Sequence, residues 1–141
     1  SSKPWKTQYW IREIMNRMYR NNIDGLCGND DCGQMSAWYV LSAMGFYPVC
    51  PGTDQYVIGA PYLPYMKLTL ENGKELVIKA DKVSDKSRYV KSVKLNGKPY
   101  HKAFIGQQDI MNGGELTFEM SSQPNKQRIF KGENRPYSLS E

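Results

Sequence analysis

The sequence predicts an α+β fold in which a pair of helices is followed by an antiparallel β-sandwich. Within residues 1–50 the apolar side chains recur at helical spacing, whereas residues 51–120 contain short runs of alternating polarity separated by glycine-containing turns. Residues 121–141 are polar, contain two prolines and show no period, which predicts a mobile tail. The 141-residue chain is therefore divided into a helical segment, a β-domain and a tail.

The first predicted helix begins at Pro4, because a proline in the first helical turn loses no hydrogen bond. Its apolar residues fall at i, i+3, i+4 and i+7 and form one stripe, made of Ile11, Ile14, Met15 and Met18. The polar residues of the same helix are expected on the other side, namely Arg12, Glu13, Asn16 and Arg17. This amphipathic pattern predicts that the stripe packs inward and the polar side faces solvent.

The second predicted helix covers residues 34–44 and ends at Gly45, a residue that caps helices readily. Its apolar stripe consists of Met35, Trp38 and Leu41, and its small residues would allow close packing against neighbours. Two helices joined by a short loop cannot bury all of their apolar surface alone. We therefore expect them to be the last pair of a larger helical array.

The β-domain is predicted from two Asn-Gly dipeptides, each placed between runs of alternating polarity. Asn72-Gly73 separates residues 67–70 from 75–78, and Asn96-Gly97 separates residues 92–95 from 98–100. Asn-Gly favours tight hairpins because both residues tolerate positive φ. A further strand is predicted at residues 116–120. Several short strands with frequent turns indicate an antiparallel sandwich.

Composition excludes several classes of protein. The net charge is +5, but the basic residues are scattered, so we expect no nucleic-acid binding. No apolar run approaches the roughly 20 residues of a membrane helix, and no membrane segment is expected in this chain. The chain does not open with a signal peptide, so the targeting signal of a secreted parent protein is expected upstream.

The three cysteines are an odd set. Cys27 and Cys32 flank a loop across which they could form a disulfide, which would suit an oxidising compartment, and free thiols are the alternative. Zinc binding is not expected, because the single histidine, His101, lies far away in sequence.

An acidic loop between the two helices carries the candidate chemistry. Asp30 and Asp31 lie between glycines just before the second helix, with Asn29 in front of them. Capping of the helix N-terminus explains one aspartate and is favoured by spacing alone. The alternative is catalytic: a carboxylate held by helix N–H groups keeps a low pKa, which suits a general base. Oxygen-rich side chains could also ligate calcium, although the spacing is not that of an EF-hand.

The loop and second helix, GNDDCGQMSAWYVLSAMGFYPV at residues 28–49, closely resemble the carboxyl-terminal region of glycoside hydrolase family 92. Residues 4–8, 54–59 and 95–100 resemble the same region. The resemblance implies an inverting, calcium-dependent α-mannosidase acting on terminal α-mannosides of glycans, with α-1,2 linkages expected. It also implies that the helices are the last of a catalytic toroid and that the rest of the enzyme lies upstream. The chain would then be inactive alone.

By the same resemblance, Asp31 is expected to be the general base. Asn29 and Asp30 would contact the base, the sugar or the metal, and Asp30 is the one candidate calcium ligand in the loop. Trp5 and Gln34 are candidate substrate contacts, with packing as the alternative for Trp5 and support of the helix cap as the alternative for Gln34. Trp10 and Trp38 are expected in the core because they lie within helical stripes. The catalytic acid is expected outside this chain.

Three further expectations concern the class, the partners and the location of the parent protein. The alternative to an enzyme fragment is a non-catalytic carbohydrate-binding or structural β-module. The resemblance implies mannose-containing glycans and the upstream part of the parent protein as partners. It also implies a parent protein that is secreted, periplasmic or on the cell surface, of bacterial type.

Overall fold

The structure is a computed structural model that describes residues 3–50 and 52–138. Two helices come first, α1 at Pro4–Met18 and α2 at Gln34–Met44, and a short 3₁₀ turn at Asp31–Gly33 precedes α2. Within the described residues eight strands follow, interrupted by a third helix, α3, at Gln107–Asn112. The strands are β1 Phe46–Tyr47, β2 Gln55–Ile58, β3 Tyr65–Thr69, β4 Glu75–Asp81, β5 Tyr89–Leu95, β6 Lys98–Pro99, β7 Phe104–Gly106 and β8 Gly114–Ser121. The predicted α+β fold class is confirmed.

The strands form two sheets. β1, β2 and β7 make an antiparallel three-stranded sheet, and a five-stranded sheet has the order β3-β4-β8-β5-β6. The five-stranded sheet is not wholly antiparallel as predicted, since β4 and β8 pair in parallel. A parallel pair requires a long connection, and here β5, β6, β7 and α3 lie between the two strands in the chain.

Both predicted hairpins are present, β3–β4 and β5–β6. In the second, Asn96 and Gly97 both adopt positive φ, at 50° and 78°. In the first, of the pair Asn72 and Gly73 only the glycine does, and its loop is closed by Leu70 N–H donating to the carbonyl of Lys74 at 2.9 Å. The two Asn-Gly dipeptides therefore predicted the positions of both turns correctly, although the backbone conformations of the two turns differ.

One hydrophobic core joins the two sheets. Leu76, Ile78, Leu116 and Phe118 of the larger sheet are fully buried, as is Ile105 of the smaller sheet. In β4 and β8 buried residues alternate with more exposed ones, which is the period-two pattern that the sequence displays.

Helix α1 presents a partly polar face to the β-domain, which corrects the prediction of a solvated polar side. Arg12 is only 4% exposed, and its Nη2 donates to the carbonyl of Pro61 at 2.8 Å. Gln8 is also buried, and its Oε1 accepts a hydrogen bond from Val90 N–H at 3.1 Å. The guanidinium of Arg12 lies 4.4 Å from the ring centroid of Tyr62. The polar face of α1 therefore packs inward, because hydrogen-bonding groups that are distant in sequence lie opposite it on the β-domain.

The predicted apolar stripe of α1 is only partly buried. Met15 is in the core, but Ile14 is 37% and Met18 is 50% exposed. Trp10, expected in the core, is 60% exposed and makes an edge contact with Tyr9. These side chains leave an apolar strip along the outside of α1. Among the described residues, no helix has the length and apolarity needed to cross a membrane.

The described part of the predicted tail packs against the β-domain. Ala103 N–H donates to the carbonyl of Asn134 at 2.8 Å, and Tyr137 N–H donates to Gln55 Oε1 at 2.7 Å. These contacts connect residues 121–138 to the β-domain, while the mobility of the tail stays a prediction; residues 139–141 lie outside the described part. Pro51, the first residue of the predicted β-domain, also lies outside it. The division into three segments stays a prediction, and β1 pairs across the first boundary with β2.

Candidate active site

The loop between α1 and α2 closes on itself before it reaches the acidic residues. Arg20 N–H donates to the carbonyl of Gly25 at 2.9 Å, and Tyr19 forms an isolated antiparallel bridge with Leu26. Gly25 is buried, and a Cβ at this position would collide with the carbonyl oxygen of Arg20. A glycine is therefore required here for close approach of two backbone segments, and the turn returns the chain towards the start of α2.

Asp30 binds the first turn of α2 with both carboxylate oxygens. Oδ1 accepts a hydrogen bond from Met35 N–H at 2.6 Å, and Oδ2 accepts one from the hydroxyl of Ser36 at 2.9 Å. The Ser36 hydroxyl and the Met35 backbone N–H together lower the pKa of Asp30. An ionised carboxylate at the positive end of a helix is favourable. The capping explanation is thus correct for Asp30.

Asp31 is the exposed member of the acidic pair. In the part of the chain that the structure describes, its carboxylate makes no hydrogen bond, and its backbone carbonyl accepts one from Gln34 N–H. The next two residues are left-handed, Cys32 at φ 55° and Gly33 at φ 75°. A left-handed conformation is unfavourable for a residue with a Cβ, so Cys32 holds local strain directly beside Asp31. The helix-bound carboxylate expected of Asp31 is found on Asp30 instead.

Aromatic side chains support the loop from the side of the helices. Tyr19 stacks on Trp38 with ring centroids 5.7 Å apart and planes 17° apart, and it also contacts Tyr39 at 4.8 Å. The Tyr19 hydroxyl donates to the carbonyl of Met35 at 3.2 Å, next to the N–H bound by Asp30. Burial raises the pKa of Tyr19. Sequence reasoning missed Tyr19, since nothing in its local pattern distinguishes it from a helix-end residue.

The remaining candidates are not all brought together. Gln34 is exposed at the first position of α2, adjacent in structure to Asp31, and Asn29 is exposed in the loop. Trp5 instead lies between two lysines, with Lys6 Nζ 5.6 Å and Lys126 Nζ 6.0 Å from its ring. The described contacts therefore link Trp5 to the C-terminal segment and not to the acidic loop.

The loop offers only part of a cation site. Within residues 3–50 and 52–138, no group of three or more His, Cys, Asp or Glu side chains could hold a metal ion. Calcium requires six to eight oxygen ligands, and both oxygens of Asp30 already accept hydrogen bonds. Asn29 and Asp31 offer further exposed oxygens. Cys27 and Cys32 are exposed free thiols, so the suggested disulfide is not formed.

Comparison with protein families decides the classification. A family model described as the glycosyl hydrolase family 92 catalytic domain matches residues 1–122. The chain belongs to glycoside hydrolase family 92. The match includes the acidic loop, both long helices and all eight strands.

Solved relatives in family 92 share the structure as well as the sequence. An α-mannosidase of Bacteroides thetaiotaomicron, BT3965, solved with mannoimidazole, is 46% identical and superposes with a TM-score of 0.91 over 96% of this chain. The inverting mannosidase BT2199 of the same organism is 42% identical, with a TM-score of 0.90 over 99% of this chain. The chain spans 18% and 19% of those proteins.

A curated relative in Arthroderma benhamiae is described as an uncharacterised secreted glycosidase. It is 29% identical over 108 residues, which is 74% of this chain and 14% of the relative. Membership of family 92 confirms the predicted resemblance. The roles of individual loop residues stay predictions, because these likenesses concern whole chains.

Proposed function

We propose that this chain forms one side of the active site of a longer, inverting α-mannosidase, with Asp31 as the general base. One observation carries the proposal: in a chain of family 92, one of two adjacent aspartates is fixed to a helix and its neighbour is left exposed. The likeness to a solved inverting mannosidase supports the reaction type.

The geometry of the pair suits base catalysis. An inverting hydrolase needs a carboxylate that removes a proton from the attacking water as it reaches the anomeric carbon. Asp31 meets two requirements, since its carboxylate is open to solvent and makes no hydrogen bond that the water would have to displace within the described chain. Asp30 acts as a positioning residue that holds the turn. Asn29 and Gln34, which are exposed beside Asp31, would contact the water or the sugar.

The complementary acid is proposed to come from outside this chain. A general acid needs a raised pKa so that it is protonated at neutral pH. The opposite holds for Glu13, Glu115 and Glu119, whose pKa values are lowered by hydrogen bonds to Arg88, Lys79 and Lys91. These glutamates instead form ion pairs at 2.6–2.7 Å. The chain alone would accordingly be inactive.

Calcium and the substrate belong to the same proposal. Asp30, with Asn29 beside it, would supply a minority of the calcium oxygens, and other segments of the longer protein would supply the remainder. Bound calcium would hold and polarise substrate hydroxyls. The proposed substrates are terminal α-mannosides of glycans, with α-1,2 linkages first among them, and the secreted relative supports a location outside the cytoplasm.

The decisive experiment replaces Asp31 by Asn in the intact protein that contains this chain. We expect kcat on an α-1,2-linked mannobioside to fall by roughly 10²–10⁴, the usual contribution of a general base, with an unchanged melting temperature. Asp24→Asn, a change of an exposed aspartate in the same loop, is the matched control and should keep full activity. NMR of the first product should show inversion at the anomeric carbon.

Two outcomes would contradict the proposal. Near-normal turnover by the Asp31→Asn protein would remove this residue from the base role. Retention of the anomeric configuration would remove the inverting mechanism. Separately, excess chelator should abolish activity and added calcium should restore it, and full activity in chelator would contradict the calcium assignment.

A further inference from the structure

A cleft of about 470 Å³ lies between the β5–β6 hairpin and the C-terminal segment, away from the acidic loop. Its lining includes the side chains of Lys94, Tyr100, His101, Asn125, Gln127 and Arg128. Of the described residues that line it, none is an aspartate or a glutamate. Its volume lies within the range of sites that hold small molecules, and its walls combine hydrogen-bond donors with the ring of a half-buried tyrosine.

Arg128 is the unusual residue of this cleft. Its Nη2 is fully buried and has no hydrogen-bond acceptor among the residues the structure describes. Burial alone lowers the pKa of Arg128 to about 10, so no described carboxylate offsets the loss of water around its charge. A buried, unpaired cation is costly, and such groups in folded proteins are normally paired. Arg128 is therefore the residue of this cleft best suited to pair with an anion from outside the described chain.

The surrounding segment holds Arg128 in place. Asn125 Oδ1 accepts hydrogen bonds from the backbone N–H groups of Gln127 and Arg128, at 3.1 and 3.2 Å. Asn125 Nδ2 donates to the carbonyl of Lys91 at 3.1 Å and so ties the segment to β5. The guanidinium lies 5.0 Å from the ring centroid of Phe130. The arginine is thus positioned before any ligand arrives, which reduces the entropy lost on binding.

Other side chains around the cleft favour an anion as well, Lys94 through its charge and His101 as a hydrogen-bond donor. Lys94 and His101 are exposed at its rim. Lys91, also in the lining, is already paired with Glu119 at 2.6 Å and contributes less. Gln127 adds a neutral amide group suited to a hydroxyl or to a second oxygen of the ligand.

We propose that this cleft binds a small oxyanion-bearing ligand, an acidic sugar or a sugar phosphate, with Arg128 as the residue that pairs with its carboxylate or phosphate. A planar guanidinium matches both oxyanions because it donates two parallel hydrogen bonds. The cleft lies mainly on residues 91–134, so the acidic loop takes no part in it. The proposal does not depend on the mannosidase activity.

The test is calorimetric titration of the intact protein that contains this chain. Inorganic phosphate and D-glucuronate are the probes, and D-glucose is the neutral control. We expect millimolar binding of at least one anion, no binding of glucose, and a loss of affinity of roughly 10- to 100-fold in Arg128→Met. Arg128→Lys should retain part of the affinity. Arg20→Met, a change of an exposed arginine outside the cleft, should leave it unchanged.

Stability separates a binding role from a structural one. Without a ligand, Arg128→Met should melt at the same temperature as the unchanged protein or higher, because an unpaired buried charge is removed. A lower melting temperature would show that another part of the protein already pairs with Arg128, and would overturn the proposal. The proposal would also be overturned if neither anion bound, if glucose bound as well as glucuronate, or if Arg128→Met bound the anion without loss of affinity. The stronger of the two anions identifies the oxyanion.

Discussion

Arg12 provides the sharpest test of how α1 is attached to the β-domain. Replacing it by Met keeps an apolar stem of similar length but removes the hydrogen bond from Nη2 to the carbonyl of Pro61 and the contact with the ring of Tyr62. The change also leaves that carbonyl without this charged donor. We expect Arg12→Met to destabilise the fold although it makes the helix more apolar.

The magnitude follows from the two contacts. A hydrogen bond from a charged donor contributes about 1.5–3 kcal/mol, and a partly buried cation–π contact about 0.5–2 kcal/mol. Burial itself lowers the pKa of Arg12, so removal of the charge recovers part of its desolvation cost. The expected net loss in the free energy of unfolding is about 2 kcal/mol.

Urea denaturation of the 141-residue chain, followed by circular dichroism, measures this loss as a shift of the midpoint. Arg17→Met is the matched control: Arg17 lies on the same helix with a side chain that is 75% exposed, and its ion pair with Glu13 spans one turn. Such pairs contribute about 0.3–0.5 kcal/mol. If the two variants unfolded within about 0.5 kcal/mol of each other, Arg12 would not anchor the helix.

Three further predictions concern other parts of the chain. The pKa of Asp30 is lower in the folded chain than the value of 3.8 for an unperturbed aspartate, so its ionisation stabilises the fold above that pH. This stabilisation is lost as the pH falls through the folded pKa. The melting temperatures of the unchanged protein and of Asp30→Asn should therefore differ at pH 7 and converge in acid. Gly114→Ala should cost about 3 kcal/mol in urea denaturation, because φ is +112° and a Cβ would meet Asn96 Oδ1. The exposed strip containing Trp10 and Met18 should make the 141-residue chain self-associate in sedimentation, and Met18→Lys should reduce association without lowering the melting temperature; a monomer at all concentrations would contradict this.

The start of α1 and both bounds of α2 were predictable because local residues set them, whereas α1 ends at Met18, before the predicted end at Asn21 and Asn22. Pro4 starts α1, and Gly45 ends α2 in a left-handed conformation at φ 91°. The inner face of α1 was not predictable in the same way. Gln8 and Arg12 are buried because Val90 and Pro61, far away in sequence, offer a donor and an acceptor. The helical period shows which residues of α1 are polar, but it does not show which distant groups could form hydrogen bonds with them.

In the sheets too, local sequence patterns predict contacts between neighbouring segments but not between distant ones. The hairpins follow from Asn-Gly turns between neighbouring strands, whereas the parallel pairing of β4 with β8 depends on contacts that no local pattern specifies. The three-stranded sheet was missed because β1, β2 and β7 have only two to four residues each and show no clear alternation. For the acidic loop, the sequence predicted that one aspartate caps the helix. It could not tell which one, because the left-handed turn at Cys32 and Gly33 decides it.

The two bonds of Asp30 reach residues five and six positions further along the chain. Residues 30–36 consequently act as a closed unit of fixed length, in which an insertion or a deletion would separate the carboxylate from both of its partners. Substitutions at Asn29 and Asp31 do not touch either bond. Changes at the two exposed positions would therefore alter the proposed chemistry but keep the turn, and residues 29–36 could be transplanted as a block to the start of another helix.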